Sequence, residues 1–433
     1  MPNGERKKFL FVSKIALAGD LAWQIKNEGH KVRFFISDKY SKDIYDGFVD
    51  KTEDWKECID WADVIVFDDV EGFGTEAEKL RSQGKLVVGG TSYTDKLEDD
   101  KGFGQDEMKA AGISVIPNWM FTDFDEAIRF IQKNPDRYVL KPSGKAQDEK
   151  ELLFIGQEED GKDMIQILQL YKKTWAKLIK EFQLQKFVSG VEVAVGAFFN
   201  GKEFVWPINV NFEHKRLFPG DIGPQTGEMG TAMYWSAPNI IFSETLEKMA
   251  SKLKEAGYVG YADINCMVNA KGIYPLEFTM RFGYPHISIA MEGITSPWGD
   301  FLYKLAAGEH CELKFKKGFQ IGVVIAVPPF PYDDAQSFKQ YSEDAVVLFR
   351  KDSKDGVHLG DVKLVEGDWV LTGTIGYALV VTGSGITTEE ARKLAYNRVK
   401  NIMIPNMFYR EDIGERLRED LDKLMTWGYI YVY

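Results

Sequence analysis

Glu277 and Arg281 stand within "YPLEFTMRFGYPH", residues 274–286, a segment that otherwise reads as an apolar strand. Alternation puts Leu276, Phe278, Met280 and Phe282 on one face and Glu277, Thr279 and Arg281 on the other. The apolar face must be buried. The polar face is either solvated, with an Arg–Glu pair worth little, or lines a site. The strand-like "GYADINCMV" just before it brings more oxygens. "NAKG" fits a three-residue hairpin loop, Ala270-Lys271-Gly272, with Gly272 left-handed. That register sets Asn265 opposite Glu277 and Asp263 opposite Thr279, whereas a one-residue slip would bring Asp263 beside Phe278. Oxygen ligands gathered on one rigid face suit a hard cation such as Mg2+, completed by phosphate oxygens.

Three further stretches could join that chemistry. In "LQKFVSGVE", Gln185, Phe187 and Val188 lie at a strand edge where exposed backbone can hold a purine, with Glu192 placed for ribose hydroxyls; a plain strand with one exposed Glu is the alternative. Lys141 ends the apolar strand "RYVL" and Lys101 follows "LEDD", positions from which an ammonium meets phosphate as a point charge, or simply water. "EHKRLFPGDIGPQTGEMGTAM" sets Lys215 and Arg216 before a loop with Gly220, Gly223, Gly227 and Gly230. Such a loop either turns backbone N–H groups onto an anion or is flexible surface. The five histidines have no metal-ligand spacing, and no Ser-His-Asp arrangement or nucleophile elbow is present.

The elements that must carry these residues follow from periodicity. "KKFLFVS", "ALAGDLAWQIKNEGH", "KVRFFIS", "ADVIVFDD", "GTEAEKLRSQG" and "KLVVGG" alternate strand and helix, predicting a small parallel sheet with helices on both faces over residues 1–93. No Gly-x-Gly-x-x-Gly marks a dinucleotide fold. Residues 94–318 read as α+β: a helix over "TDKLEDDKGFGQDEMKAAGI", a subdomain at about 118–187 containing the long amphipathic "DMIQILQLYKKTWAKLIKEF", and a hairpin at "FNGKEF". Residues 319–433 read as β-rich with one clear helix, begun by a Thr387–Glu390 capping box. A chain of 433 residues needs several cores. Its net charge of −12 argues against a general nucleic-acid binder, while leaving room for a local basic pocket for a phosphorylated small molecule. Three scattered cysteines, no apolar run of membrane length and no cleavable leader point to a reduced, cytoplasmic setting.

Taken in order, these motifs resemble the ATP-grasp superfamily, and within it the phosphoribosylamine–glycine ligases, over nearly the whole chain. "HKRLFPGDIGPQTGEMG" is similar to the family's His-Lys-Arg…Gly-Asp-x-Gly-Pro-Asn-Thr-Gly-Gly-Met-Gly, and "LEFTMRFGYPH" to Leu-Glu-Phe-Asn-x-Arg-Phe-Gly-Asp-Pro-Glu. "LEDDKGF" and the closing "YREDIG" also match. The resemblance implies an ATP- and Mg2+- (or Mn2+-) dependent ligase of purine biosynthesis. It places Lys101 and Lys141 on ATP phosphates, Gln185, Phe187 and Val188 at adenine, and Glu192 at ribose. Glu277 would hold the metal, with Thr279, Asn265 or Asp263 beside it. Arg281 would stabilise the transferring phosphoryl group, and Lys215, Arg216, Gly223, Thr226, Gly227, Tyr284 and His286 would hold substrates. The implied partners are a small amino acid and an amine, with no membrane, on a monomer or homodimer.

The departures are Thr279 for the second metal-ligand Asn, Gln185 for a hinge Glu, "GYPH" for Gly-Asp-Pro-Glu, "KPSGKAQDEKELLFIG" for a glycine-rich lid, and "SKIALAGD" for Gly-Gly-Arg-Glu-His at the first strand–helix turn. They leave open a ligase for another amine, or a nucleotide-binding scaffold without turnover.

Overall fold

The structure is a computed structural model that describes residues 6–70, 72–143, 146 and 152–431. Much of the lid segment singled out above, 144–145 and 147–151, lies outside the described residues.

The N-terminal part is the expected parallel sheet, in the order Asp50–Lys51, Lys31–Ile36, Lys8–Ser13, Val64–Phe67, Leu86–Val88. Its two central strands run apolar through Phe9–Val12 and Val64–Phe67 because both faces are covered there. Phe9, Phe11, Val64 and Val66 enter one core, while Leu10, Val12, Ile65 and Phe67 enter another.

The main body is an eight-stranded antiparallel sheet in the order Gly272–Thr279, Val259–Asn269, Val191–Asn200, Phe204–Glu213, Gly230–Ser236, Phe319–Ala326, Tyr377–Gly385, Val357–Leu359. Strands from beyond residue 318 therefore continue the sheet that begins with the Glu277 hairpin. A four-stranded sheet, Asn118–Phe121, Phe182–Lys186, Tyr138–Pro142, Phe154–Ile155, packs with helices Phe124–Lys133 and Lys162–Thr174 around a core of its own. Among the described residues no helix is long and apolar enough to cross a membrane, and all three cysteines are free thiols.

Several local expectations need correction. The hairpin turn has two residues, Ala270 and Lys271, because Asn269 pairs with Gly272. A one-residue bulge then restores the expected register: Cys266 pairs with Pro275, but Asn265 faces Glu277 and Asp263 faces Thr279. Leu276 is the extra residue and stays half-buried, while Phe278, Met280 and Phe282 are buried. The helix expected over residues 94–113 is two, Ser92–Asp99 and Lys101–Ala110, broken at Asp100. Asp100 has extended backbone, and its carboxylate caps the second helix by accepting from Phe103 N at 2.9 Å. The long amphipathic run is helical only over Lys162–Thr174. The Thr387–Glu390 capping box forms, and helices Ala335–Tyr341 and Leu417–Thr426 add to the one expected there.

Asp20 ties the layers together. Buried in helix Gly19–Asn27, it accepts from Ser288 Oγ and His358 Nδ1, both at 2.9 Å, and from Leu359 N at 3.1 Å. Asp20→Ala leaves these donors buried without a partner and should lower stability by about 3 kcal/mol. Urea unfolding monitored by circular dichroism reads the shift, and an unchanged midpoint would remove Asp20 from this role.

Candidate active site

One face of the central sheet carries the polar residues. Glu192, Glu213, Asn211, Asn265, Asp263, Glu277 and Thr279 project to the same side of four neighbouring strands. The strand between them contributes Ala194, opposite both Asn265 and Asn211, and Gly196, opposite Asp263. A Cβ at Gly196 would lie 2.1 Å from the Tyr261 hydroxyl and 2.8 Å from Asp263 Oδ2, so glycine is what lets these groups meet.

Lys215 sits at the centre. Its Nζ lies 2.9 Å from Glu192 Oε1, 3.1 Å from Glu213 Oε2 and 3.6 Å from Glu277 Oε1. Asn265 Nδ2 bridges Glu192 at 3.2 Å and Glu213 at 3.1 Å. Lys101, at the start of its helix, reaches to 4.0 Å from Glu277 Oε2. Burial alone would raise the Glu277 carboxyl, but Lys215, Lys101 and Lys141 outweigh it and hold its pKa near 2. The same side chain is 42% exposed, because it faces the open cleft rather than bulk solvent. Burial, then the neighbouring Lys101, lowers Lys141 to about 8. Three surrounding carboxylates override burial and push Lys215 well up.

Arg281 is held from the N-terminal side. Its Nε lies 2.9 Å from Glu98 Oε1 and 3.5 Å from Asp69 Oδ1, and Glu98 also accepts from Met280 N at 2.6 Å. Beneath the cleft, Asp263 Oδ2 accepts from Asn211 Nδ2 at 3.0 Å and from the Tyr261 hydroxyl at 3.2 Å. That hydroxyl lies 2.9 Å from His286 Nε2, which is 3.0 Å from Asn209 Oδ1. Burial, and then Glu213, raises Asp263 to about 8, while burial lowers His286 to about 3 and keeps its ring neutral.

Beside this cluster opens a cavity of about 500 Å³. Lys215, Gly227, Asp263, Asn265, Glu277, Thr279, Arg281, Tyr284 and His286 line it, as do Ile15–Leu17 from the first strand–helix turn and Phe330, Asp361 and Tyr377 from the C-terminal part. The structure thus brings most of the proposed metal and substrate residues together. Arg216 is not among the lining residues; its guanidinium donates to the Gly223 carbonyl at 2.7 Å. Thr226 serves Lys215 indirectly, its N and Oγ1 both donating to the Lys215 carbonyl at 2.8 Å. The glycine loop is not an open anion nest: it forms the small hairpin Arg216–Phe218 with Ile222–Gln225, Gly220 N bonds to Asp412, and Arg410 holds Asp221. Gln185, with Gln183, lies in the separate four-stranded sheet. Phe187 N donates to the Arg137 carbonyl, and the Arg137 guanidinium stacks 3.5 Å over the Phe187 ring.

Glu98, Glu213, Glu228 and Asp69 escaped the sequence reading. Asp69 had a signal, since it follows the C-terminal end of a parallel strand, where open α/β sheets place their sites. Glu213 also had one, two residues before Lys215 and on the strand face of Asn211. Glu98 and Glu228 sit in helical and loop contexts with no such cue.

A divalent cation fits this donor set. Asn265 Oδ1 is buried without a hydrogen-bond partner next to Glu277, the carboxylate opposite it in the hairpin. Among the described residues no three His, Cys, Asp or Glu side chains converge as a complete metal site, so the remaining ligands must come from bound phosphate or water.

Comparison with known proteins agrees with this geometry. Residues 99–287 match the model of the phosphoribosylglycinamide synthetase ATP-grasp (A) domain. Phosphoribosylamine–glycine ligase of Listeria monocytogenes is 27% identical over 381 residues, 84% of this chain and 86% of that protein. The ligase of Corynebacterium ammoniagenes is 28% identical over 358 residues, 79% of this chain and 80% of that one. In fold, the chain matches the Thermotoga maritima phosphoribosylamine–glycine ligase with a TM-score of 0.73 at 23% identity, covering 94% of this chain and 100% of that one. It also matches the biotin carboxylase domain of Hydrogenobacter thermophilus 2-oxoglutarate carboxylase, a structure holding MgADP, with a TM-score of 0.64 at 14% identity, covering 99% and 100%. Residues 99–287 thus match an ATP-grasp domain of the phosphoribosylglycinamide synthetase type, and most of the chain is similar in sequence to phosphoribosylamine–glycine ligases.

Proposed function

We propose that the chain is an ATP-dependent carboxylate–amine ligase, its reaction most like the one its relatives are named for, the joining of phosphoribosylamine and glycine. Residues 1–93 would wall the substrate side, 94–318 would grip ATP under a lid of about residues 118–187, and 319–433 would close the cavity. The observation that carries this reading is the convergence of Lys101, Lys141 and Lys215 on Glu277, a centre of alternating charge suited to phosphates and a cation.

In the reaction, a substrate carboxylate oxygen attacks the γ-phosphorus of ATP and ADP departs, leaving an acyl phosphate. The amine lone pair then attacks the acyl carbon. The C–N bond forms as the C–O bond to phosphate breaks, and inorganic phosphate leaves with the electron pair and takes up the amine proton. No nucleophilic side chain is needed, because positioning and charge neutralisation supply the acceleration. Lys101 and Lys141 would hold the phosphates, with Gln185 and the backbone of Phe187 and Val188 at adenine and Glu192 at ribose. Arg281, fixed by Glu98 and Asp69, would face the transferring phosphoryl group. Mg2+ or Mn2+, held by Glu277 and Asn265 with Thr279 and Asp263 alongside, would neutralise and align the phosphates.

ADP release with glycine and phosphoribosylamine, then with other acids and amines, tests the reading. ATP binding without turnover on any pair would favour a scaffold instead. Glu277→Gln should lower kcat by about 10³-fold with the circular dichroism spectrum unchanged, and wild-type rates in that variant would remove Glu277 from the site. Lys215→Met should also change the pH dependence of stability. In the wild type the depressed Glu277 pKa contributes stability above its ordinary value of 4.5, and that contribution is lost as pH falls toward about 2. The variant lacks the central cation, so its deficit relative to wild type should be largest near neutral pH and shrink on acidification. Denaturant titrations at a series of pH values measure this.

A further inference from the structure

Strand Phe182–Lys186 of the four-stranded sheet carries two glutamines whose amides are held differently. Gln183 and Gln185 alternate with Phe182 and Leu184, which enter that sheet's own core, so both glutamines lie on the opposite face. On that face Gln183 pairs with Lys141, whose ammonium feels the charges of Lys101 and Glu277. Both glutamines are nevertheless buried, at 3% and 2% exposure.

A chain of amides fixes the first of them. Asn118 Nδ2 donates to Gln105 Oε1 and, at 2.9 Å, to the Ile116 carbonyl. A backbone carbonyl only accepts, so the nitrogen of Asn118 must face Ile116 and its oxygen must face Gln183. Gln183 Nε2 donates to that oxygen at 3.2 Å. The Gln183 oxygen is thereby turned away from Asn118, and it is buried without a hydrogen-bond partner among the described residues. Such an acceptor is costly until an N–H meets it. Gln185 lacks an anchor of this kind: its Nε2 is buried without a partner among the described residues, so no donated bond fixes which way its amide turns. A free amide can offer either atom and cannot tell an amino group from a carbonyl. The motif this segment resembles has a glutamate there, which when ionised only accepts.

We propose that Gln183 is the specificity-determining residue of the nucleotide site, its Oε1 accepting from the 6-amino group of the purine. The assignment rests on the ligase reading above and names the side chain that makes its nucleotide an adenine nucleotide. Discrimination has moved two residues along the strand, from the hinge position to an amide oriented by Gln105 and Asn118. A nucleotide whose phosphates meet the Lys141 ammonium lays its base along the same sheet face. Burial keeps bulk water from competing for the oxygen, so a base without the amino group leaves it unpaired. Gln105 lies on the helix that begins with Lys101. One helix therefore presents an ammonium to the phosphates and steadies the amide that reads the base.

The test measures binding rather than turnover, and so needs neither the acid nor the amine. Mg·ADP and the Mg2+ complex of purine riboside 5′-diphosphate, which differs from ADP in lacking the 6-amino group, are titrated calorimetrically into the full chain. Wild type should bind ADP at least about tenfold more tightly than the analogue. Gln183→Met should reduce that ratio to about twofold or less by weakening ADP, with the analogue's Kd and the circular dichroism spectrum unchanged. A ratio that survives in Gln183→Met, or is absent from the wild type, would overturn the role of Gln183 while leaving the ligase intact. Loss of both nucleotides in the variant would make the amide structural and overturn that role equally. No binding of either nucleotide to the wild type would bring down the ligase reading, and this assignment with it.

Discussion

Lys215 balances the charges on which the cleft depends. Three carboxylates from three different strands lie within 3.6 Å of its Nζ. Without a cation between them, their repulsion in a partly desolvated space would amount to several kcal/mol. The ammonium is itself placed by backbone, since Thr226 clasps the Lys215 carbonyl twice. That explains why a threonine on a glycine-rich loop belongs to the site without lining the cavity. Arg281 repeats the device on the N-terminal side with Glu98 and Asp69. The resting cleft is therefore self-neutralised. On the function proposed above, the phosphates of a nucleotide would compete with Glu277 for Lys101, Lys141 and Lys215.

Much of this was legible in the sequence because strand alternation is a strict code. A period of two fixes the face of each residue, so Glu277, Thr279, Asn265 and Asp263 could be assembled from spacing alone. The route was not legible. A three-residue turn and a two-residue turn followed by a bulge give the same pairing at Asn265, and differ only between the turn and that point, where the partners of residues 266–269 shift by one and Leu276 is left over. Helix breaks were harder still. Asp100 ends one helix and starts another because its carboxylate satisfies the backbone of the next helix, a choice that periodicity does not record.

The glycine-rich loop shows a different limit. Its composition permits an anion nest, but tertiary partners decided otherwise: Asp412 and Arg410, nearly 200 positions away, take up its polar groups. Glu98 was invisible for the same reason, being 183 positions from the arginine it orients. Residues that touch substrate directly tend to carry a local pattern. Residues that hold those in place are set by contacts no local window contains.

Two of the hydrophobic interiors differ in reach. One runs from Phe9 to Ile430 and welds the N-terminal sheet, the central sheet and the C-terminal strands into a single body, while the other is confined to residues between Phe121 and Leu184. A separate core suits the smaller unit to the lid role proposed above, because the packing of one interior does not cross into the other. In that role its excursions would sit energetically with local fluctuations rather than with unfolding, leaving the grip on a bound nucleotide to decide how long the lid stays shut.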